Sequence, residues 1–323
     1  MTIYSTMSEP VSLADAYEAA HAAAVVVHHT ERGMIHLTGG TRLDLINRMS
    51  TQAVGALQSG EGAATVLTTN IGRIIDRPIL YATSDSAWLL TGEGHAPALT
   101  RFFMRNIFFN DDVQVRDTSG ETVVFGIYGP RAAEGLVAAG FPEVDIPLHH
   151  WRQAEVGGVT AYVHRADPIA GGGYFVTVTA AGREALAAAL SAAGLPPIDE
   201  AAYDYLRIEA GLPRFGRELT LDYIPLEAGL WADVSFSKGC YVGQEIIARM
   251  ESRGKLAKRL VRLRPDAPVE QGAGISAGGR TVGAITSAAD GPAGPLALGY
   301  VKTAALTEGA APVAGDIPLN VIN

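Results

Sequence analysis

The chain has 323 residues, 48% of them hydrophobic and 18% charged, with a formal net charge of −9 and one cysteine. This length suits two or three domains of roughly 100–200 residues, and the apolar share supports a buried core and excludes wholesale disorder. An acidic balance without long acidic blocks argues against nucleic acid, which needs a concentrated Lys/Arg surface; a lone cysteine fits a reducing compartment, the cytoplasm by preference.

Met1–Pro10 carries neither a cationic segment nor an apolar stretch, and the apolar run Ala22–Val27 is far too short to span a membrane, so no export signal, anchor or membrane partner is expected. Gly33–Gly39 alternates like a strand, and Thr41–Thr51 places Leu43, Ile46 and Met49 at helical spacing. Gly62–Gly92 reads as two or three strands with turns at Asn70–Arg73 and Thr83–Ser86. A helix follows over His95–Phe108, with Pro97 near its start. Strands are then expected at Val113–Arg116, Val123–Tyr128, Val159–Val163 and Tyr174–Thr179, and helices at Pro130–Ala139 and Arg183–Ala193. Strands and helices mix without strict alternation, which favours α+β over a doubly wound parallel sheet. After about Leu256 the texture changes to short β segments separated by glycine and proline, which suits a small β-barrel.

The one thiol, Cys240, falls in "SFSKGCYVGQEIIARM", Ser235–Met250. Val242–Glu251 puts Ile246, Ile247 and Met250 on one face of an amphipathic helix, so Cys240 is expected just before a helix N-terminus. The free amides there favour an anion, as does Lys238 two residues away. Gly239 and Gly243 are expected to allow close backbone approach on either side. The plain alternative is a small buried packing residue. No metal site is expected. His28-His29 and His149-His150 are adjacent pairs whose side chains point apart in extended chain, and one thiol cannot hold an iron–sulfur cluster unaided.

Asp76 lies in an otherwise apolar strand and Glu227 in a loop. Either is a surface charge or an acceptor for the N–H groups of a ligand such as a pterin. Tyr174, Tyr223 and Trp231 are rings that could stack on it or simply pack.

"KGCYVGQE", Lys238–Glu245, resembles the signature of the YgfZ-type folate-binding proteins, relatives of the glycine-cleavage aminomethyltransferase. "LRIEAGLPRFGREL", "IPLEAGL", "GMIHLTGGTRLDLINRMSTQAVGAL", "GIYGPRAAEGL", "GRTVGAITS" and "LALGYVK" resemble that superfamily in the same order, so the likeness runs from about residue 30 onward. It implies two interleaved α+β domains and a C-terminal β-barrel in a cloverleaf, with boundaries at 1–118, 119–254 and 255–323. It implies a tetrahydrofolate or other reduced-folate ligand, with Asp76, Tyr174, Glu227 and Trp231 as candidate contacts. It also implies a role in assembly, maintenance or repair of client iron–sulfur enzymes. Lys238 and Cys240 would be the acting residues, supported by Gly239, Tyr241, Gly243, Gln244 and Glu245. The competing reading is a folate-dependent aminomethyltransferase or demethylase. Two departures weaken it: Asp76 is followed by Arg77 where the transferase has a second aspartate, and Phe175 stands where it has a glutamate.

Overall fold

Two compact units, each assembled from separated stretches of chain, emerge in a computed structural model that describes residues 9–142, 144–307 and 311–322. The first comprises residues up to 47, 54–64 and 78–203, and the second 48–53, 65–77 and 204 onward.

The first unit holds two sheets. The six-stranded sheet runs in the order Trp151–Val156, Val159–Ile169, Gly172–Thr179, Thr122–Tyr128, Val25–His28, Pro197–Ile198. It is antiparallel except for its last pair, Val26 beside Pro197. Its apolar face and the helices Ala132–Ala138 and Arg183–Ala192 share a core built on Phe125, Ile127, Leu136, Val163, Val176 and Leu186. The five-stranded sheet is antiparallel throughout, in the order Gly62–Ala64, Ile79–Ala82, Ser86–Glu93, Arg32–Thr38, Gln114–Asp117.

The expected helix with a proline at its start occupies Ala96–Arg105, with Pro97 in its first turn, where a missing N–H costs nothing. Gly62–Gly92 differs from expectation. It forms five short strands, and the pair Leu67–Thr68 and Ile74–Asp76 leaves the main sheet as a separate hairpin.

That hairpin belongs to the second unit. This unit also contains the helix Gln244–Arg253 and a closed barrel of six strands, Lys258–Pro265, Leu296–Lys302, Arg280–Ala289, Gly274–Ala277, Val313–Ala314 and Ile317–Ile322, the last pairing back onto the first. The inward residues Leu263, Ile275, Ile285, Ala297 and Leu319 fill it. At the crowded crossing of two strands, a Cβ on Gly283 would lie 2.0 Å from the Tyr300 carbonyl oxygen, so only glycine fits. The chain is thus mixed α+β with a C-terminal β-barrel, as its texture implies. No helix among the described residues is long and apolar enough to cross a membrane.

Candidate functional site

The loop that carries the thiol is tied at several points to two short segments of its own unit. It opens with a single helical turn, Trp231–Asp233. The Asp233 carboxylate is buried and receives Arg77 Nε at 2.6 Å. Its carbonyl accepts from Thr51 Oγ1 at 2.6 Å, and Ser235 N–H donates to the Thr51 carbonyl at 3.0 Å. Lys238 then turns inward: its Nζ donates to the carbonyls of Ser50 at 2.8 Å and Gln52 at 2.7 Å. Burial holds the ammonium down at about 8, because a desolvated cation is disfavoured. Lys238 therefore clamps the base of the loop, with Nζ 5.3 Å from the centre of the Tyr241 ring.

Past the lysine the chain comes out to solvent. Gly239 and Cys240 are exposed, and the thiol is free. Tyr241 turns back in and packs with Ile224, Leu226, Val234 and Ile247, and burial pushes its hydroxyl up to about 12. Gln244 Oε1 accepts from the Tyr241 N–H at 3.3 Å, Thr68 Oγ1 donates to the Val242 carbonyl at 2.6 Å, and Glu245 is exposed in the first turn of the helix.

Two expectations are corrected by this geometry. The helix starts at Gln244, with Gly243 as its N-cap, so Cys240 lies four residues before the first helical residue. The field of a helix end fades within a turn and does not account for the placing of the thiol. Gly239 is not a close approach either, since a Cβ there meets nothing within 4 Å. Gly243 is one: its φ is +84°, and a Cβ would lie 2.6 Å from the Thr69 carbonyl oxygen and 2.7 Å from Thr68 Oγ1. Gly243→Ala should therefore destabilise the second unit by about 1–3 kcal/mol. Chemical denaturation checks this, and Gly239→Ala, as the control, should change stability by no more than about 0.5 kcal/mol.

The acidic candidates lie in the same unit. Asp76 closes the strand Ile74–Asp76, is 1% exposed, and accepts the Arg77 N–H at 2.7 Å. Glu227 is 6% exposed and accepts from the Ile224 N–H at 3.3 Å. Burial pushes its carboxyl up, while the Ile224 N–H, Lys258 and Arg73 pull it back. Nearby, Tyr223 and Tyr300 stack at 3.4 Å, and Lys258 Nζ stands 4.3 Å from the centre of the Tyr223 ring. Trp231 is 44% exposed and leans on Phe236. Tyr174 sits in the first unit, buried in its core with the Arg165 guanidinium over its ring. Phe175, in the same strand, carries the Arg32 guanidinium 5.0 Å from its ring centre.

Some site residues escape sequence reasoning altogether. Thr51, Thr68 and Arg77 hold the loop in place yet are single polar residues far from the motif in sequence, and Asp233, though only five residues before Lys238, stands in no spacing that marks it. The available signal was the charge at Arg77 following Asp76 in a run of apolar residues. Among the described residues no cluster of three or more His, Cys, Asp or Glu side chains is arranged to hold a metal.

The two-sheet first unit, the closed barrel and a motif loop ending in a short helix define an α+β protein of the aminomethyltransferase fold. Residues 4–238 match the GCVT N-terminal domain, and residues 258–323 match the CAF17 C-terminal β-barrel domain. The chain belongs to the GCVT N-terminal domain family. It resembles the glycine cleavage system aminomethyltransferase T of Bartonella henselae with a TM-score of 0.85 at 23% identity, over 98% of this chain and 90% of that one. It is 29% identical over 305 residues to the chloroplastic protein At1g60990 of Arabidopsis thaliana, covering 94% of this chain and 71% of the relative. It is 27% identical over 299 residues to the aminomethyltransferase of Streptomyces coelicolor, covering 88% and 80%.

Proposed function

We propose that this protein binds a reduced folate, with tetrahydrofolate as the reference ligand, and serves iron–sulfur enzymes as an accessory factor through Cys240. The observation that carries the second half is the exposed thiol on a loop whose base Lys238 clamps to two backbone carbonyls. Such a thiol reaches a client's iron as one thiolate donor, its proton passing to solvent, with the cluster as substrate and not as a resident group. The loop needs a compartment that keeps thiols reduced. The cytoplasm is one, and the chloroplastic location of a relative points to organelles as another.

The residues present suit a folate. Asp76 and Glu227 are acceptors for the N–H-rich edge of a pterin, and Trp231 offers a partly exposed ring. Tyr174 is less suited, because Arg165 already covers its ring. Bound folate would supply a one-carbon carrier or a reducing pterin. The second reading is the aminomethyl transfer for which the Streptomyces coelicolor relative is named. Against it, the residue after Asp76 is a cation engaged with Asp233, and the apolar ring of Phe175 lies under Arg32, so the chain lacks carboxylates at both places.

Reduced folate at about 100 times its Kd should stabilise the protein by about 2.7 kcal/mol, read as a rise in melting temperature. Asp76→Ala or Glu227→Ala should shrink the rise, and Cys240→Ser should leave it intact. A flat melting temperature would remove the folate half of the reading, and turnover of a lipoyl-bound aminomethyl donor would restore the transferase.

A further inference from the structure

The two rims of the C-terminal barrel carry opposite charge. Strand register collects Lys258, Arg259, Arg280 and Lys302 at one rim, where Lys258 faces Lys302 and the Thr303 N–H donates to the Ala257 carbonyl at 3.0 Å. At the other rim stand Asp266, Asp290 and Asp316, beside Arg264. The helix Gln244–Arg253 brings two more cations to the basic rim. Gly254 ends that helix in the left-handed conformation, at φ +60°, and Arg253 and Lys255 flank the turn three to five residues ahead of the strand Lys258–Pro265.

Arg253, Lys255, Arg259 and Lys302 are exposed, and among the described residues none of these four is paired with a carboxylate. Lys302 Nζ donates only to the Thr281 carbonyl, at 3.3 Å. Lys258 leans the other way, donating to the Asp222 carbonyl at 3.2 Å. The far rim does not neutralise the near one: the strand carries Arg259 about 20 Å from Asp266, more than twice the screening length of about 8 Å in physiological salt. The negative end of the helix accounts for cations at 253 and 255. It does not account for Lys302 directly opposite Lys258, a like-charge placement that costs stability.

The arrangement selects among anions. The four free cations are spread over a helix end and two strand ends, so a single phosphate meets only some of them, whereas carboxylates spaced along a chain meet all. Residues 253–259 and 301–303 contain no aromatic side chain on which a base could stack, and the net charge of −9 opposes a dense polyanion. We propose that this rim docks an acidic, Asp/Glu-rich segment of a partner protein. The helix between Gly243 and Gly254 is about 15 Å long, so the body of a partner held there comes within reach of the Cys240 loop that precedes it. That the partner is a client iron–sulfur enzyme rests on the reading of Cys240 given above.

The probe is a rhodamine-labelled decaglutamate peptide followed by fluorescence anisotropy. In 50 mM salt it should bind with half-saturation below about 100 μM, and in 500 mM salt at least about tenfold more weakly. The triple variant Lys255→Glu, Arg259→Glu, Lys302→Glu should lose at least about tenfold in affinity. The triple Arg101→Glu, Arg105→Glu, Arg264→Glu changes net charge equally on exposed residues elsewhere and should lose no more than about threefold. Melting curves verify each variant; should the rim triple fail to fold, Lys255→Glu and Arg259→Glu singly should each cost about two- to fivefold. In cells the rim triple should lower the activity of client iron–sulfur enzymes. The inference is overturned by an absence of salt-sensitive binding to the folded wild type, by equal losses in the two triples, or by a ten-nucleotide oligothymidylate binding as tightly as the peptide. Low-salt oligomers that the rim triple abolishes would also overturn it, by giving the rim to the acidic rim of a second copy, as would full support of client enzymes by the rim triple. The thiol reading fails separately: a Cys240→Ser form that binds the peptide and still supports those enzymes removes the thiol step and upholds the docking surface.

Discussion

Arg207→Met should lower the stability of the second unit by about 3–5 kcal/mol, the range for breaking a buried ion pair by removing one partner. The guanidinium is 1% exposed and donates from Nε to Asp204 at 2.8 Å, and from its two terminal nitrogens to Glu218 at 2.9 Å and Ser287 Oγ at 2.5 Å. Glu218 is fully buried; its other oxygen accepts from Ser287 at 2.6 Å, and the Arg214 N–H shares the first at 2.9 Å. Without Arg207 that carboxylate keeps two neutral donors and loses its counter-charge. Urea denaturation should show a lower midpoint with an unchanged slope. Acid should act on the same cluster. Burial alone would raise the Asp204 carboxyl, but Arg207 and Arg217 outweigh it and hold the group below its ordinary value. A depressed carboxylate contributes stability that is present above the unfolded pKa and lost as pH falls through the folded one. In Arg207→Met, where the Asp204 carboxyl is less depressed, that acid-labile contribution should be smaller and its loss complete at a higher pH than in the wild type.

Cys240→Ser should abolish support of client iron–sulfur enzymes while changing stability by no more than about 0.5 kcal/mol, since the side chain is exposed and packs against little. The measurement is the activity of iron–sulfur enzymes in cells lacking the protein, complemented with wild type or variant, beside melting curves of both purified forms. Full complementation by the serine form, expressed at wild-type level, would end the thiol-based reading and leave folate binding untouched. Lys238→Met is a useful companion, because Nζ anchors to carbonyls of Ser50 and Gln52. Its loss should loosen the loop and leave the thiol present.

The barrel is legible in the sequence because short β segments punctuated by glycine and proline admit few other arrangements. The helices Ala96–Arg105 and Arg183–Ala192 announce themselves by period and by proline or glycine at their starts. Val25–His28 is easily overlooked because a strand buried on both faces shows no alternation. The helix Leu13–Ala22 carries a capping signal in Ser12 and Asp15, whose N–H donates to Ser12 Oγ at 3.2 Å, that is weak beside an alanine-rich, faintly amphipathic run. Within the site, Lys238 and Cys240 are legible through the motif they share. Their opposite fates, one anchored inward and the other exposed, are not, because they depend on carbonyls contributed by residues 50 and 52. The same holds for Tyr174, whose aromatic character suggests stacking but whose face is taken by Arg165.

The interleaving of the two units has a bearing on synthesis. The carbonyls that receive Lys238 are made 188 and 186 residues before it, so at a translation rate of about 5–20 residues per second they emerge about 10–40 s ahead of their partner. Over that interval the Leu67–Asp76 hairpin is outside the ribosome without the Tyr300 barrel strand that shares its apolar cluster of Val66, Ile74, Leu219 and Leu230. Its cluster partners Leu219, Leu230 and Tyr300 are distant in sequence, and distant contacts close slowly. A nascent form of this protein accordingly passes through a stage in which two early segments wait, apolar and uncovered, for the last third of the polypeptide, and it is at that stage that holdase chaperones have a surface to bind.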